Sequence, residues 1–167
     1  MQETFRNGAK GALLDIYENA IAELCNCLDD ISDNALIKIV DSQTKDPNCI
    51  SIQTILTHVL SAGFSYAVYI RQLKGENVVH PGKPVYNTIK EYQTGLSAVF
   101  DYTVSTFKNI QDSELEDPDN SKKIITPWHQ SYDIEQIAEH AIVHILRHMR
   151  QIERFKMKIR EENSLIH

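Results

Sequence analysis

The chain lacks the sequence features that identify nucleic-acid-binding, membrane-spanning and secreted proteins. Its net charge is −6, and no basic stripe with interleaved aromatic residues is present, which argues against binding a nucleic-acid backbone. No apolar run approaches the roughly 18 residues that a membrane span needs. The segment MQETFRNGAK lacks the apolar core of a signal peptide. We therefore expect a cytoplasmic protein that binds neither nucleic acid nor membrane.

Cysteine is scarce, with only Cys25, Cys27 and Cys49 in the chain. Their odd number and the C-x-C pair within a helical pattern do not indicate a disulfide framework or a zinc ribbon. All three lie in or near the first predicted helix and the loop after it, so we expect none to act as a nucleophile. With 167 residues, of which 42% are apolar, the chain is predicted to form one globular domain over 1–167.

Helical periodicity dominates the sequence. Apolar residues recur at spacings of three and four, which is typical of amphipathic helices, over residues 12–28, 51–73, 87–110 and 132–158. A short helix over 33–40 follows a plausible cap at Ser32. Proline-containing loops separate the long stretches, and KKIIT indicates a small extended piece. The pattern predicts an all-α fold, a four-helix bundle whose middle connections are long enough to be crossovers.

Three histidines stand in register in the last predicted helix: His140, His144 and His148. The apolar stripe of that helix places His144 and His148 toward the bundle interior and His140 at the edge. Two histidines four residues apart are separated by about 6 Å along a helix and can converge on one metal ion. The segment HILRH lacks the glutamate of the H-E-x-x-H zinc-protease motif, which disfavours a metalloprotease.

A third metal ligand is expected from a facing helix, because bundle metal sites use inward side chains of several helices. His58 in TILTHVLSAGF shares the inward face of the second long helix. Taken alone, His58 is more often a helix histidine with an ordinary hydrogen bond; beside the His144 and His148 pair it favours a metal site. Three neutral imidazoles with open positions suit zinc, nickel or iron. Gln151, one turn beyond His148, is expected to orient a ligand or line the cavity.

Other side chains receive lesser roles. Tyr66 is expected in the core or in the wall of the cavity rather than as a catalyst. His80 and His129 lie in predicted loops, where we expect them to face water. Trp128, just before the last helix, is interpreted as a packing anchor in preference to a pocket wall.

The chain resembles the DinB-like (DinB/YfiT) superfamily of metal-binding four-helix proteins. The motifs that carry this resemblance are His58 in ILTHVLSAGFSY and the H-x-x-x-H-x-x-Q pattern of HILRHMRQI, which holds His144, His148 and Gln151. The segment ITPWHQSYDIEQIAEH also looks like the usual approach to the last helix, and helix order extends the resemblance over nearly the whole chain. Relatives often read H-R-G-Q where this chain reads HMRQ, a departure that leaves the ligand set intact.

The resemblance implies a divalent metal, nickel or zinc, bound by His58, His144 and His148 at one end of the bundle. His140 is then a neighbour of the ligands, at a position where relatives sometimes also carry a histidine. A homodimer and a small-molecule substrate are implied as well. The chemistry known among members is thiol-dependent transfer or isomerisation, with a low-molecular-weight thiol, and some members are described as hydrolases.

Three functions stay open at the level of sequence. The first is a metal-dependent enzyme, in which the metal activates water or holds a thiolate. The second is a non-catalytic bundle that binds a metal or a small ligand, as a stress-related protein could. The missing general base favours this second function over hydrolysis. The third is a structural helical dimer whose histidines bind nothing, and the convergent ligand set argues against it.

Overall fold

Helices build most of the chain. The computed structural model describes residues 5–165, in which the α-helices are α1 (Gly8–Leu28), α2 (Asp33–Ile37), α3 (Ile52–Leu73), α4 (Ile89–Phe107) and α5 (Ile134–Ser164). Single 3-10 turns at Pro47–Cys49, Asp112–Glu114 and Asn120–Lys122 lie in the connections. A small antiparallel hairpin pairs β1 (Ile124–Ile125) with β2 (Ser131–Tyr132). The prediction of an all-α fold is confirmed, and so is the extended piece at KKIIT.

The helix ends differ from the predicted ones. Helix α1 begins at Gly8, before the first apolar repeat, and α5 continues to Ser164. Helix α4 begins later than predicted, after a capping box in which the Thr88 hydroxyl accepts a hydrogen bond from the Glu91 N–H (3.2 Å). Solvated terminal turns carry no apolar periodicity, so the hydrophobic pattern does not mark where they end.

The four long helices pack around one apolar core. Helices α1 and α3 each pack against both α4 and α5, whereas α1 and α3 make far fewer contacts with each other. Gly63 on α3 allows a close approach to α4, because a Cβ there would lie 2.5 Å from Cγ1 of Val99. The core residues of largest volume with almost no exposure are Tyr92, Phe107, Leu24, Leu28, Leu36, Ile52, Ile55, Leu56, Leu60, Ile70, Leu96 and Ile110.

Capping fixes the start of the two helices that carry the histidines. Ser51 caps α3, with its hydroxyl accepting the Thr54 N–H at 3.1 Å. Asp133 caps α5, and its carboxylate and the Gln136 amide exchange hydrogen bonds with each other's backbone N–H groups. Such capping boxes satisfy donors that the first helical turn leaves unpaired. They set where α3 and α5 begin, and the two helices pack against each other.

Within residues 5–165, no helix is both long enough and apolar enough to cross a membrane. The structure does not describe residues 1–4 or His167. Residues 1–4 are the start of MQETFRNGAK, the segment that was compared with a signal peptide.

Candidate metal centre

Three histidines from two helices meet in the interior. His58 comes from α3, and His144 and His148 come from α5; one ring nitrogen of each lies within 4.8 Å of the others. Nε2 of His144 lies 2.9 Å from Nε2 of His58. The ring centroids are separated by 4.5 Å for His144 and His148, 4.8 Å for His58 and His144, and 5.1 Å for His58 and His148. Two imidazole nitrogens bonded to one zinc ion at about 2.05 Å are expected roughly 3 Å apart.

The predicted orientation of the histidine pair is confirmed, since His144 and His148 are only 5% and 4% exposed. The burial follows from the helical repeat, which returns both side chains to the face that also carries Ile137, Ala141, Ile145 and Ile152. His58 is half-buried on the facing surface of α3. The geometry therefore brings together the three side chains that the sequence analysis selected as ligands.

One nitrogen of the cluster has no partner. Nδ1 of His148 lies 3.0 Å from Oε1 of Gln151, and an amide oxygen only accepts, so Nδ1 carries the proton. Nε2 of His148 then presents a lone pair, and it is buried without a hydrogen-bond partner among the described residues. Leaving a buried polar atom unpaired is costly. A divalent cation would satisfy this lone pair, so the donor set fits a metal ion.

The surroundings keep the three imidazoles neutral, the form that binds metal. Burial lowers the pKa of His144 to about 2 and that of His148 to about 4. Burial also lowers the pKa of His58. Neighbouring imidazoles add to the shifts of the two buried residues, because a charge on one disfavours a charge on the next.

Gln151 joins the histidine cluster to the loop between α2 and α3. Its Oε1, which accepts from His148, also accepts from Sγ of Cys49 at 3.7 Å, and Sγ lies 3.5 Å from Oδ2 of Asp46. The predicted supporting role of Gln151 thus has a geometric basis. The sequence analysis missed Cys49 and Asp46 as neighbours of the cluster, and no spacing in the sequence signals them.

Cys49 remains a poor nucleophile in spite of this position. Burial raises the pKa of its thiol, which keeps it protonated near neutral pH. Asp46 is ionised more readily, because the Asn48 backbone N–H donates to its carboxylate and lowers its pKa.

Aromatic side chains flank the histidines on the side of the hairpin. Tyr66 is buried, with its ring 5.8 Å from that of His144 and 5.4 Å from that of His140. His140 is half-buried. Its ring centroid lies 6.3 Å from that of His144 and 5.5 Å from that of Trp128, on which it stacks. His140 is therefore a neighbour of the cluster, as expected, and Tyr66 packs against it as a wall. Neither belongs to the group of three converging nitrogens.

One expectation for a loop residue was wrong. His80 does not simply face water: it is half-buried, Nε2 lies 2.9 Å from the Ser61 carbonyl, and Nδ1 accepts from the Gly82 N–H. The interpretation of Trp128 as a packing residue is supported: although 41% exposed, its ring lies against those of Tyr66, Tyr132 and His140. The expectation for His129 is confirmed, since it is exposed.

An open cleft adjoins the cluster on the other side, with a volume of about 730 Å³. His148 and Gln151 contribute to its wall, and the remaining lining residues are Asp46, Cys49, Arg147, Arg150 and Arg154. The arginines share a face of α5 through their spacing of three and four residues. The spacing is a feature of the sequence, whereas the cleft that these arginines share with His148 is apparent only in the structure.

No family model matches the chain, and no curated protein matches it. The histidine cluster is therefore the feature of the chain that points to a function.

Proposed function

We propose that this chain is a DinB-like protein, a four-helix bundle of the DinB/YfiT type, that binds a divalent metal through His58, His144 and His148. The observation that carries the proposal is the unpaired, buried Nε2 of His148 beside the two other imidazoles. The pairwise packing of α1 and α3 against α4 and α5 is compatible with a bundle that has crossover connections. Nickel and zinc are the proposed metals, since imidazole suits both.

The proposed activity is hydrolysis or thiol-dependent transfer of a small-molecule substrate. When bound, the metal would supply Lewis acidity, which activates water or holds the thiolate of a low-molecular-weight thiol. Gln151 holds the tautomer of His148 that presents Nε2. Tyr66 covers the ring of His144 and keeps water away from that side. A homodimer, as the resemblance implies, is part of the same proposal.

Metal content tests the proposal. The full-length chain, purified without an affinity tag and dialysed against nickel or zinc, should retain about one ion per chain in elemental analysis. His58→Ala removes one of three ligands and should reduce retention after dialysis by at least about tenfold. His129→Asn is the matched control, because it removes an exposed histidine at a residue with φ of 63°, where asparagine is tolerated.

Circular dichroism and thermal unfolding of the metal-free variants check that each remains folded. Equal metal retention by wild type, His58→Ala and His129→Asn would show that the ion binds elsewhere. A trace of metal in all three would contradict the proposal altogether.

Asp46 favours a second candidate function, a metal-binding bundle without hydrolytic activity. It is the carboxylate that lines the cleft beside His148, and its lowered pKa makes it a weak general base. Turnover assays of the metal-loaded protein with model esters and with small thiols plus electrophiles separate the functions. Turnover that requires a thiol supports transfer; turnover of esters alone supports hydrolysis; metal binding without turnover supports the second candidate.

A further inference from the structure

The cleft beside His148 carries an excess of positive charge. Arg147, Arg150 and Arg154 line it, and Asp46 is the acidic residue of its wall. The whole chain has the opposite sign, with a net charge of −6. The three guanidinium groups are thus a local feature, and any attraction that they exert on an anion acts against the charge of the protein as a whole.

The three guanidinium groups have no polar partner among the residues that the structure describes. Among residues 5–165, Arg147, Arg150 and Arg154 form no side-chain hydrogen bond and no salt bridge with the rest of the structure. Their neighbours on α5 differ: Arg160 and Lys156 both pair with Asp30. Guanidinium groups that lack an acidic partner remain available to a ligand with carboxylate or phosphate oxygens.

The histidine cluster is a second reason to expect an anion to bind in the cleft. Three neutral imidazoles contribute no negative charge, so a divalent ion bound there would add to the positive potential. Arg147 directly precedes His148 on α5, and both residues line the cleft. Only Asp46 among the lining residues opposes this potential. An anion that contacts both the metal and the arginines of the cleft would offset this positive potential.

We propose that the cleft binds a small molecule with at least two anionic groups, one directed to the metal and another bound by Arg147, Arg150 and Arg154. The proposal rests on the metal site proposed above and specifies the class of its substrate. The volume of the cleft, about 730 Å³, is in the usual range for small-molecule sites. His148 belongs to both the cleft wall and the histidine cluster, and its Nδ1 is bonded to Gln151, which also lines the cleft. Anionic oxygens are the shared chemistry, whether they belong to carboxylates or to phosphates.

Visible absorption of the cobalt(II)-loaded protein tests the proposal, because the bands of the ion report a change among its ligands. The protein is titrated at constant ionic strength with succinate, inorganic phosphate, or succinamide, the neutral analogue of succinate. We expect succinate or phosphate, or both, to produce a saturable change, and succinamide to produce none. The response to the two anions distinguishes a carboxylate ligand from a phosphate ligand.

Variants then assign the effect to the cleft. Arg147→Gln and Arg150→Gln should each weaken the binding of the active anion by about three- to tenfold, the loss of a charge-assisted hydrogen bond at a partly exposed site. Lys158→Gln is the matched control: it removes one positive charge from α5 at an exposed residue outside the cleft. Arg150→Lys keeps the charge and should lie between wild type and Arg150→Gln.

The outcomes separate the two proposals. If cobalt fails to give bands that depend on His58, the metal site is wrong and the anion proposal fails with it. If those bands are present but neither anion changes them, only the anion proposal is overturned. Equal affinities in Arg147→Gln, Arg150→Gln and Lys158→Gln would overturn it too, because the attraction would then come from general charge.

Discussion

Replacing Gln151 by alanine should weaken metal binding without touching a ligand. Oε1 of Gln151 accepts the Nδ1 proton of His148 at 3.0 Å, and this hydrogen bond selects the tautomer whose Nε2 faces the cluster. Alanine leaves the imidazole free to rotate and to exchange tautomers. Glutamate in place of Gln151 would keep an acceptor at the same distance and would add a negative charge, which raises the basicity of the imidazole.

The expected magnitude follows from the role of that hydrogen bond. Loss of a partner that orients a metal-binding histidine typically reduces metal affinity about 10- to 100-fold, or roughly 1.4–2.7 kcal/mol. We expect the lower end, because Gln151 is only half-buried and water can replace its oxygen in Gln151→Ala. Gln151→Glu should bind metal at least as tightly as wild type.

Competition with a chromophoric chelator measures the affinity of each variant for zinc at pH 7.5. Gln43→Ala is the control, since it removes an exposed glutamine from the loop before α3. Equal affinities for wild type, Gln151→Ala and Gln43→Ala would refute the orienting role. A loss in Gln151→Glu as large as that in Gln151→Ala would show that packing, and not the hydrogen bond, matters.

Two further predictions concern stability. Acid should destabilise the metal-free protein. Burial lowers the pKa of His144 to about 2 and that of His148 to about 4, whereas a histidine in the unfolded chain has a pKa of about 6.5. Below a pH of about 6.5 the unfolded state therefore binds more protons than the folded state. The free energy of unfolding should then fall as pH drops, by roughly 1–2 kcal/mol per histidine at pH 5; a urea midpoint unchanged between pH 7.5 and 5 would contradict this. Gly63→Ala should destabilise the fold by about 1–3 kcal/mol, because its Cβ would lie 2.5 Å from Cγ1 of Val99. Gly95→Ala should cost less, because its Cβ would lie no closer than 3.0 Å to Leu60 and 3.4 Å to Tyr86. Equal urea midpoints for the two variants would argue against tight packing at Gly63.

The helical repeat explains why the histidine cluster was predictable. Once α5 is read as an amphipathic helix, the steps from Ile137 through His144 and His148 fix which side chains point inward. The same argument applies to His58 on α3. Local periodicity therefore predicts that all three imidazoles face the core. It does not fix the turn of α5 that His58 meets; the resemblance implied that the three lie together.

Contacts made by loops could not be anticipated in this way. Cys49 reaches Gln151 although the two are 102 residues apart, because the loop before α3 packs back against α5. His80 contacts the Ser61 carbonyl because the connection after α3 returns along that helix. These positions depend on long-range packing and on backbone hydrogen bonds within the loops, for which residue spacing carries no signal.

X-ray absorption spectroscopy of the bound metal tests the central claim most directly. For the zinc- or nickel-loaded protein, the account predicts scattering from three imidazole rings, which falls to two in His58→Ala if the metal is retained. A spectrum without imidazole scattering, or one that His58→Ala leaves unchanged, would contradict the assignment of His58, His144 and His148 as the metal ligands.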